Sequence, residues 1–133
     1  MSKDHPIISV TGSSGAGTST IHHTFEQIFR RERITAATIQ GDAFHRYNRE
    51  QMKSELEKRA RVGEDTFSHF SYDANDLLRL EKLFKVYGKT GTGQTREYVH
   101  DHLEAERYGV EPGQFTDWRS FEPNTDLLFY EGL

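Results

Sequence analysis

The stretch Gly12-Ser13-Ser14-Gly15-Ala16-Gly17-Thr18-Ser19-Thr20 constrains the fold of this chain more than any other feature. Gly12, four residues, Gly17, Thr18 and Ser19 reproduce the spacing GxxxxGK[ST] of a phosphate-binding loop, with threonine in the lysine position. Before it, "PIISVTG" is a short β-branched run ended by glycine, which reads as a strand buried on both faces, as in a parallel sheet. After it, in "TSTIHHTFEQIFRRE", Ile21, Phe25, Ile28 and Phe29 recur at helical spacing on one face. The bland alternative is a flexible Gly/Ser connector, but connectors seldom fall between a buried strand and an amphipathic helix. Glycines allow the turns that point successive backbone N–H groups inward, and the helix start adds roughly half a positive charge. Gly12 to Thr20 therefore predict a nucleotide phosphate site, with the Ser19 hydroxyl where Mg²⁺ is usually ligated.

Thr18 is neutral, and this matters energetically. A unit charge about 4 Å from a phosphate oxygen is worth on the order of 4 kcal/mol at an effective dielectric near 20. Backbone amides and Mg²⁺ cover part of that deficit, and arginine or lysine from another segment must supply the rest.

"RITAATIQGDAFHR" returns to strand character from Ile34 to Ile39 and stops at Gly41, completing a βαβ unit. "NREQMKSELEKRARVG" predicts a charged helix with a thin stripe of Met52, Leu56 and Ala60, stopped at Gly63. "YDANDLLRLEKLFKVYG" predicts a better amphipathic helix, with Leu77, Leu80, Phe84 and Tyr87 on one face, Asp73 as N-cap and Gly88 as stop. One short strand is expected from Arg96 to His100 amid loops, and "TDLLFYEGL" reads as an apolar third core strand running into Glu131. The fold class is α/β, a P-loop-type parallel sheet truncated after its third core strand. In such a sheet that strand should lead into a further crossover helix, so residues 1–133 are expected to be an N-terminal part of a single domain. A hydrophobic fraction of only 34% fits a domain that is incomplete or rich in solvated helix.

A net charge of −4 offers no global attraction to a polyanion, so nucleic acid is not an expected partner. With no cysteine there are no disulfides, thiolate metal sites or thiol switches, which fits a cytoplasmic protein. No apolar run of about 18 residues is present, so no membrane partner is expected.

In an open α/β sheet, ligands bind outside the carboxyl ends of the strands, and the residues just past the second and third strands are Asp42 and Glu131. Phosphoryl transfer to an alcohol needs one carboxylate to accept the hydroxyl proton and another to help hold Mg²⁺. Taken singly, Asp42 reads equally as a turn aspartate and Glu131 as an exposed strand end; the loop tips the pair toward chemistry. His45 and Arg49 lie i, i+4 apart, so on one helical face they would bind a substrate phosphate, with Arg46 as surface charge. His100 and His102 flank Asp101, but neither a third ligand nor a zinc-type spacing is visible. His22 and His23 read as surface residues, and Phe115, Trp118 and Phe121 as packing.

Together "PIISVTGSSGAGTST", "QGDAFHR", "FSHFSYDAND", "YVHD", "FTDW" and "LLFYEGL" resemble the bacterial-type (class I) branch of the phosphoribulokinases, within the P-loop phosphoribulokinase/uridine kinase family. The resemblance covers almost the whole chain, and the lysine-free loop is itself a mark of that branch. It implies a fold related to nucleoside monophosphate kinases and transfer of the γ-phosphate of ATP to ribulose 5-phosphate, the Calvin-cycle step. By position it implies ATP binding by Gly12 to Thr20, Asp42 as base, Glu131 and Ser19 assisting Mg²⁺, and His45 and Arg49 on the sugar phosphate. It further implies a lid with arginines and a catalytic lysine beyond Leu133, which would bring the charge that Thr18 lacks. A homo-octamer when full length is implied too, with a contribution of Arg31 to effector response; Ala16, standing where the plant branch has a regulatory cysteine, argues against thioredoxin control. A uridine-kinase-like or pantothenate-kinase-like enzyme, and a nucleotide sensor without turnover, remain the competing readings.

Overall fold

The structure is a computed structural model, and it describes residues 2–12 and 18–132, together with all their side chains except those of Thr18 and Ser19. Ser13, Ser14, Gly15, Ala16 and Gly17 of the expected loop lie outside the described residues. What flanks the loop is as the sequence predicts: strand β1 (Ile7–Thr11) precedes it and helix α1 (Thr18–Glu32) follows. Strand β2 (Ala36–Gln40) begins two residues later than expected and passes into a tight 3-10 turn, Gly41–Phe44.

Strand β5 (Leu127–Gly132) lies between β1 and β2, parallel to both. Its entry is fastened by Asp126 and Thr35: each residue's backbone N–H donates to the other, 2.7 Å from Thr35 N to the Asp126 carboxylate and 2.7 Å from Asp126 N to the Thr35 carbonyl. Since β5 is the central strand, it buries both faces, from Leu127 to Tyr130 without a break. Leu127 and Phe129 pack on α1 through Phe25 and Phe29. Leu128 and Tyr130 face the larger cluster of Ile39, Phe44, Leu83 and Tyr87. The expectation that "PIISVTG" is buried on both faces is corrected here: Ser9 and Thr11, which share one face of β1, are exposed, because the described residues leave that face uncovered there.

Helix α2 (Arg49–Arg61) is opened by Asn48, whose side chain accepts from Gln51 N while the Gln51 side chain accepts from Asn48 N. Only Met52 of its stripe is buried. Helix α3 (Leu77–Thr90) departs from expectation at both ends. Asp76, not Asp73, is its N-cap, accepting from Arg79 N, and Gly91 in the left-handed region, not Gly88, ends it. Asp73 sits instead in a 3-10 turn (Tyr72–Ala74), 3.5 Å from Arg59. Its apolar face is centred on Leu83 and Tyr87, and the Tyr87 hydroxyl is paired with Thr125 at 2.7 Å inside the core.

The segment after Gly91 forms an arm over the sheet's edge. Strand β3 (Gln94–Thr95) pairs antiparallel with β4 (Arg119–Ser120), and helix α4 (His102–Tyr108), capped by Asp101, fills the bend. The strand expected at Arg96 to His100 is thus displaced. Glu97 N donates to the Thr116 hydroxyl rather than to a carbonyl, and the pairing continues as an isolated bridge between Tyr98 and Phe115, with backbone bonds from Thr116 N to Glu97 O, Val99 N to Gln114 O and Gly113 N to Val99 O.

Candidate active site

The strand register decides which side chains share a rim. Thr11 is paired with Gly132, Val10 with Glu131, and Gln40 also with Glu131. Gly12 and Asp42 therefore leave the sheet at its carboxyl edge, in the crevice where ligands of such sheets bind, whereas Glu131, expected just past the third strand, is paired inside β5 one residue before its end at that same edge. Glycine is required at two of the strand ends: a Cβ on Gly41 would lie 2.8 Å from the Tyr130 hydroxyl and 3.1 Å from Gly132 Cα, and one on Gly132 would collide with the same hydroxyl. Without side chains there, the ends of β2 and β5 approach closely. Burial, then the Asp42 and Glu131 carboxylates, push the Tyr130 phenol up, so both carboxylates act on one hydroxyl.

Asp42 is held between two histidines. His100 Nε2 lies 2.8 Å from its Oδ2, and His45 Nε2 lies 3.2 Å from its Oδ1. The other nitrogen of each ring also faces an acceptor. His100 Nδ1 is 3.0 Å from the Glu104 carboxylate, and His45 Nδ1 is 2.8 Å from Asn75 Oδ1. Asn75 cannot turn to present its amide hydrogens, because its Nδ2 already donates to the carbonyls of His69 and Ser71. A ring with acceptors at both nitrogens must donate from both, which is the imidazolium form. Accordingly His100 is raised to about 9, chiefly by its bond to Asp42, against some burial and with help from Glu104. Burial works against charge on His45, yet the bonds to Asp42 and Asn75 outweigh it and its pKa is raised. The bonds from His100 and then His45 hold the Asp42 carboxyl well below the usual carboxylate range.

Backbone anchoring fixes this cluster. Arg96 donates from Nε to the Ala43 carbonyl (2.8 Å) and from Nη2 to the His45 carbonyl (2.9 Å), and Arg46 N donates to Ala74 O. Arg49 donates from Nη2 to the His100 carbonyl at 2.8 Å. Tyr98 completes the wall, its ring edge-on to both His45 and His100.

Several sequence-level placements change. His45 and Arg49 do not share a helical face, because Asn48 caps α2 between them; they are linked instead through Asp42 and His100, His45 bonding Asp42, Asp42 bonding His100, and Arg49 bonding the His100 carbonyl. His100 and His102 do not act together: His100 reaches Asp42, while His102 begins α4. His22 is not a surface residue, since its ring rests against Phe129 with its Nε2 on Glu26. Thr20 is exposed on the first turn of α1, and Arg31 is exposed beside Glu32. Phe115, Trp118 and Phe121 do pack, but two of them also carry cations: Arg96 lies over Phe115, and both Arg79 and Arg96 over Trp118. His100, Asn75 and Arg96 are the site residues that residue-by-residue reading missed. The available signals were the strings "YVHD", which holds His100, and "FSHFSYDAND", which holds Asn75, and neither carries a spacing relation to Asp42. Among the described residues no group of three or more His, Cys, Asp or Glu could hold a metal ion by itself. The oxygen donors at the rim suit a hard cation that keeps substrate oxygens and water in its shell, as Mg²⁺ does.

The sequence profile of the phosphoribulokinase / uridine kinase family matches residues 7–133. Phosphoribulokinase 1 of Cereibacter sphaeroides is 66% identical over all 133 residues, which make up 46% of that protein. The phosphoribulokinase of Nitrobacter vulgaris is 56% identical with the same coverage. The chain thus spans about half the length of the curated relatives it matches. Among solved structures, phosphoribulokinase from Rhodobacter spheroides superposes with a TM-score of 0.87 at 60% identity, over 99% of this chain and 44% of that one. A possible uridine kinase from Bacillus stearothermophilus superposes at 0.65 with 16% identity, over 99% of this chain and 62% of that one, a likeness of fold alone.

Proposed function

The chain belongs to the phosphoribulokinase/uridine kinase family, and from that premise we propose that it is the ATP-binding, base-carrying part of a phosphoribulokinase. The whole enzyme transfers the γ-phosphate of ATP to ribulose 5-phosphate, giving ribulose 1,5-bisphosphate and ADP. The observation that carries this reading is the convergence of Asp42, clamped by His100 and His45, with Glu131 on the rim where β1 hands over to the glycine loop.

The acceptor hydroxyl oxygen bonds to the γ-phosphorus as the bond to the ADP oxygen breaks, and the hydroxyl proton passes to Asp42. A carboxylate with so low a pKa is a weak base. That suits a loose transition state, in which the hydroxyl becomes acidic only as the bond to phosphorus forms. The two histidines keep Asp42 ionised and aimed through separate oxygens, and they put positive charge beside the reacting hydroxyl. Glu131, with Ser19, would hold Mg²⁺, which would neutralise phosphate charge when bound. Residues 12–20 bind the triphosphate, and Arg49 receives the sugar's phosphate with the positive charge of His45 nearby, the His45 ring nitrogens being engaged by Asp42 and Asn75. A lid from the remainder of the enzyme supplies the cation that Thr18 lacks.

The test uses the intact natural protein with ATP and either ribulose 5-phosphate or uridine. Turnover with ribulose 5-phosphate, lost by several orders of magnitude in Asp42→Asn with ATP affinity retained, supports the proposal. Preference for uridine refutes the acceptor assignment, and full activity of Asp42→Asn refutes the role of the base.

A further inference from the structure

A second concavity, about 260 Å³, opens beside the Asp42 turn and is lined by neither Asp42 nor His100. Its walls are Phe44, Trp118, His45 from the Asp42 cluster and three arginines, Arg46, Arg79 and Arg96, with Asp76 as the carboxylate present. Asp76 is already committed to the start of α3, where its Oδ1 accepts from Arg79 N. The guanidinium of Arg79 lies 3.6 Å from the centre of the Trp118 ring, and that of Arg96 4.6 Å from the same ring. Two like charges thus crowd one indole. Burial first, and Arg79 next, lower Arg96 to about 10, so the cost of that crowding falls on a residue whose Nε and Nη2 are already bonded.

In a chain of net charge −4, three guanidinium groups facing one carboxylate leave a local excess of positive charge that an oxyanion would neutralise. Guanidinium forks match phosphate oxygens in pairs of hydrogen bonds, and the indole holds the arginines in place by cation–π contact. The volume is below the range of about 300–1,000 Å³ that encloses ligands of drug size, so a small ion fits and a whole nucleotide does not.

We propose that this pocket, which adjoins the Asp42 cluster at His45 and is not lined by Asp42 itself, is an anion site that binds inorganic phosphate or the phosphate group of a small ester through Arg46, Arg79 and Arg96. Arg96 links it to the reaction centre, because the same guanidinium fixes the carbonyls on either side of Phe44. The proposal does not rest on the kinase reading, and its test needs neither ATP nor a sugar.

The intact protein is labelled with 5-fluorotryptophan, and the Trp118 resonance is assigned by its loss in Trp118→Phe. Inorganic phosphate and, in a parallel arm, glycerol 3-phosphate are titrated against sodium chloride at equal ionic strength. The expected result is a saturable shift with phosphate that is weakened at least about tenfold in Arg79→Gln and partly restored in Arg79→Lys. Tighter binding in the ester arm identifies a phosphate ester as the ligand; equal or weaker binding identifies the free ion. Arg46→Gln, an exposed change, repeats the test should Arg79→Gln fail to fold. A shift matched by chloride, or an affinity unchanged in both arginine variants, overturns the proposal.

Discussion

His100 should titrate far above an ordinary histidine, and Asp42 should be the main reason. The two charged groups are 2.8 Å apart, a separation worth about 1.5 kcal/mol at the dielectric of water and about 6 kcal/mol at an effective dielectric near 20. A rise from 6.5 to about 9 corresponds to about 3.4 kcal/mol at 1.36 kcal/mol per unit. The side chains are 40% and 46% exposed, so solvent screening reduces the stability actually contributed to about 1 kcal/mol. Because the folded pKa is raised, that contribution is fully present below the unfolded value of 6.5 and is lost as pH rises through about 9. Carbon-13 and proton NMR of the His100 ring should therefore give a midpoint near 9. In Asp42→Asn the midpoint should fall by more than about one unit, yet stay above 6.5 because Glu104 remains on Nδ1. Thermal unfolding of wild type against His100→Gln should differ by about 3 °C near pH 6, and the two should converge by about pH 10. A wild-type midpoint at 6.5, or one indifferent to Asp42→Asn, would refute the ion-pair account.

Asn75→Ala removes the acceptor for His45 Nδ1 together with two bonds to loop carbonyls, and it should cost about 1–3 kcal/mol in denaturant unfolding while lowering the His45 midpoint by NMR. Asp76→Ala strips the N-cap of α3 and should cost about 1 kcal/mol by the same measurement. Gly132→Ala forces a methyl against the Tyr130 hydroxyl and should destabilise by about 1–3 kcal/mol; steady-state assays of the intact protein should show a lower kcat as Glu131 shifts. Charge reversal of Arg49 should raise KM for a sugar phosphate strongly and leave KM for ATP nearly unchanged, and an equal effect on both would contradict a role in binding the acceptor.

Local rules made the βαβ core readable. β-branched runs, a 3.6-residue apolar period and glycine punctuation located β1, α1, β2 and β5, and the carboxyl ends of β2 and β5 pointed to Asp42 and Glu131. Element ends were less legible where two polar residues competed for one job. Asp73 and Asp76 are both plausible caps by type, and the choice fell to Asp76 because Arg59 is placed to take Asp73. The arm from Gln94 to Ser120 was least legible, since its backbone pairing comes in a two-residue ladder and an isolated bridge, too short to leave a periodic trace.

What the amino-acid order fixed unaided is the order of strand, glycine loop and helix, and the kind of chemistry its carboxylates suit, because spacing along a chain sets periodicity and turn geometry directly. The burial of β5 rather than β1, the meeting of Asp42 with His100 across 58 positions, and the gathering of Arg46, Arg79 and Arg96 at one indole were decided only by the tertiary structure. Contacts between distant segments depend on which strand takes the centre of the sheet and on which arm folds over its edge, and no local pattern encodes either.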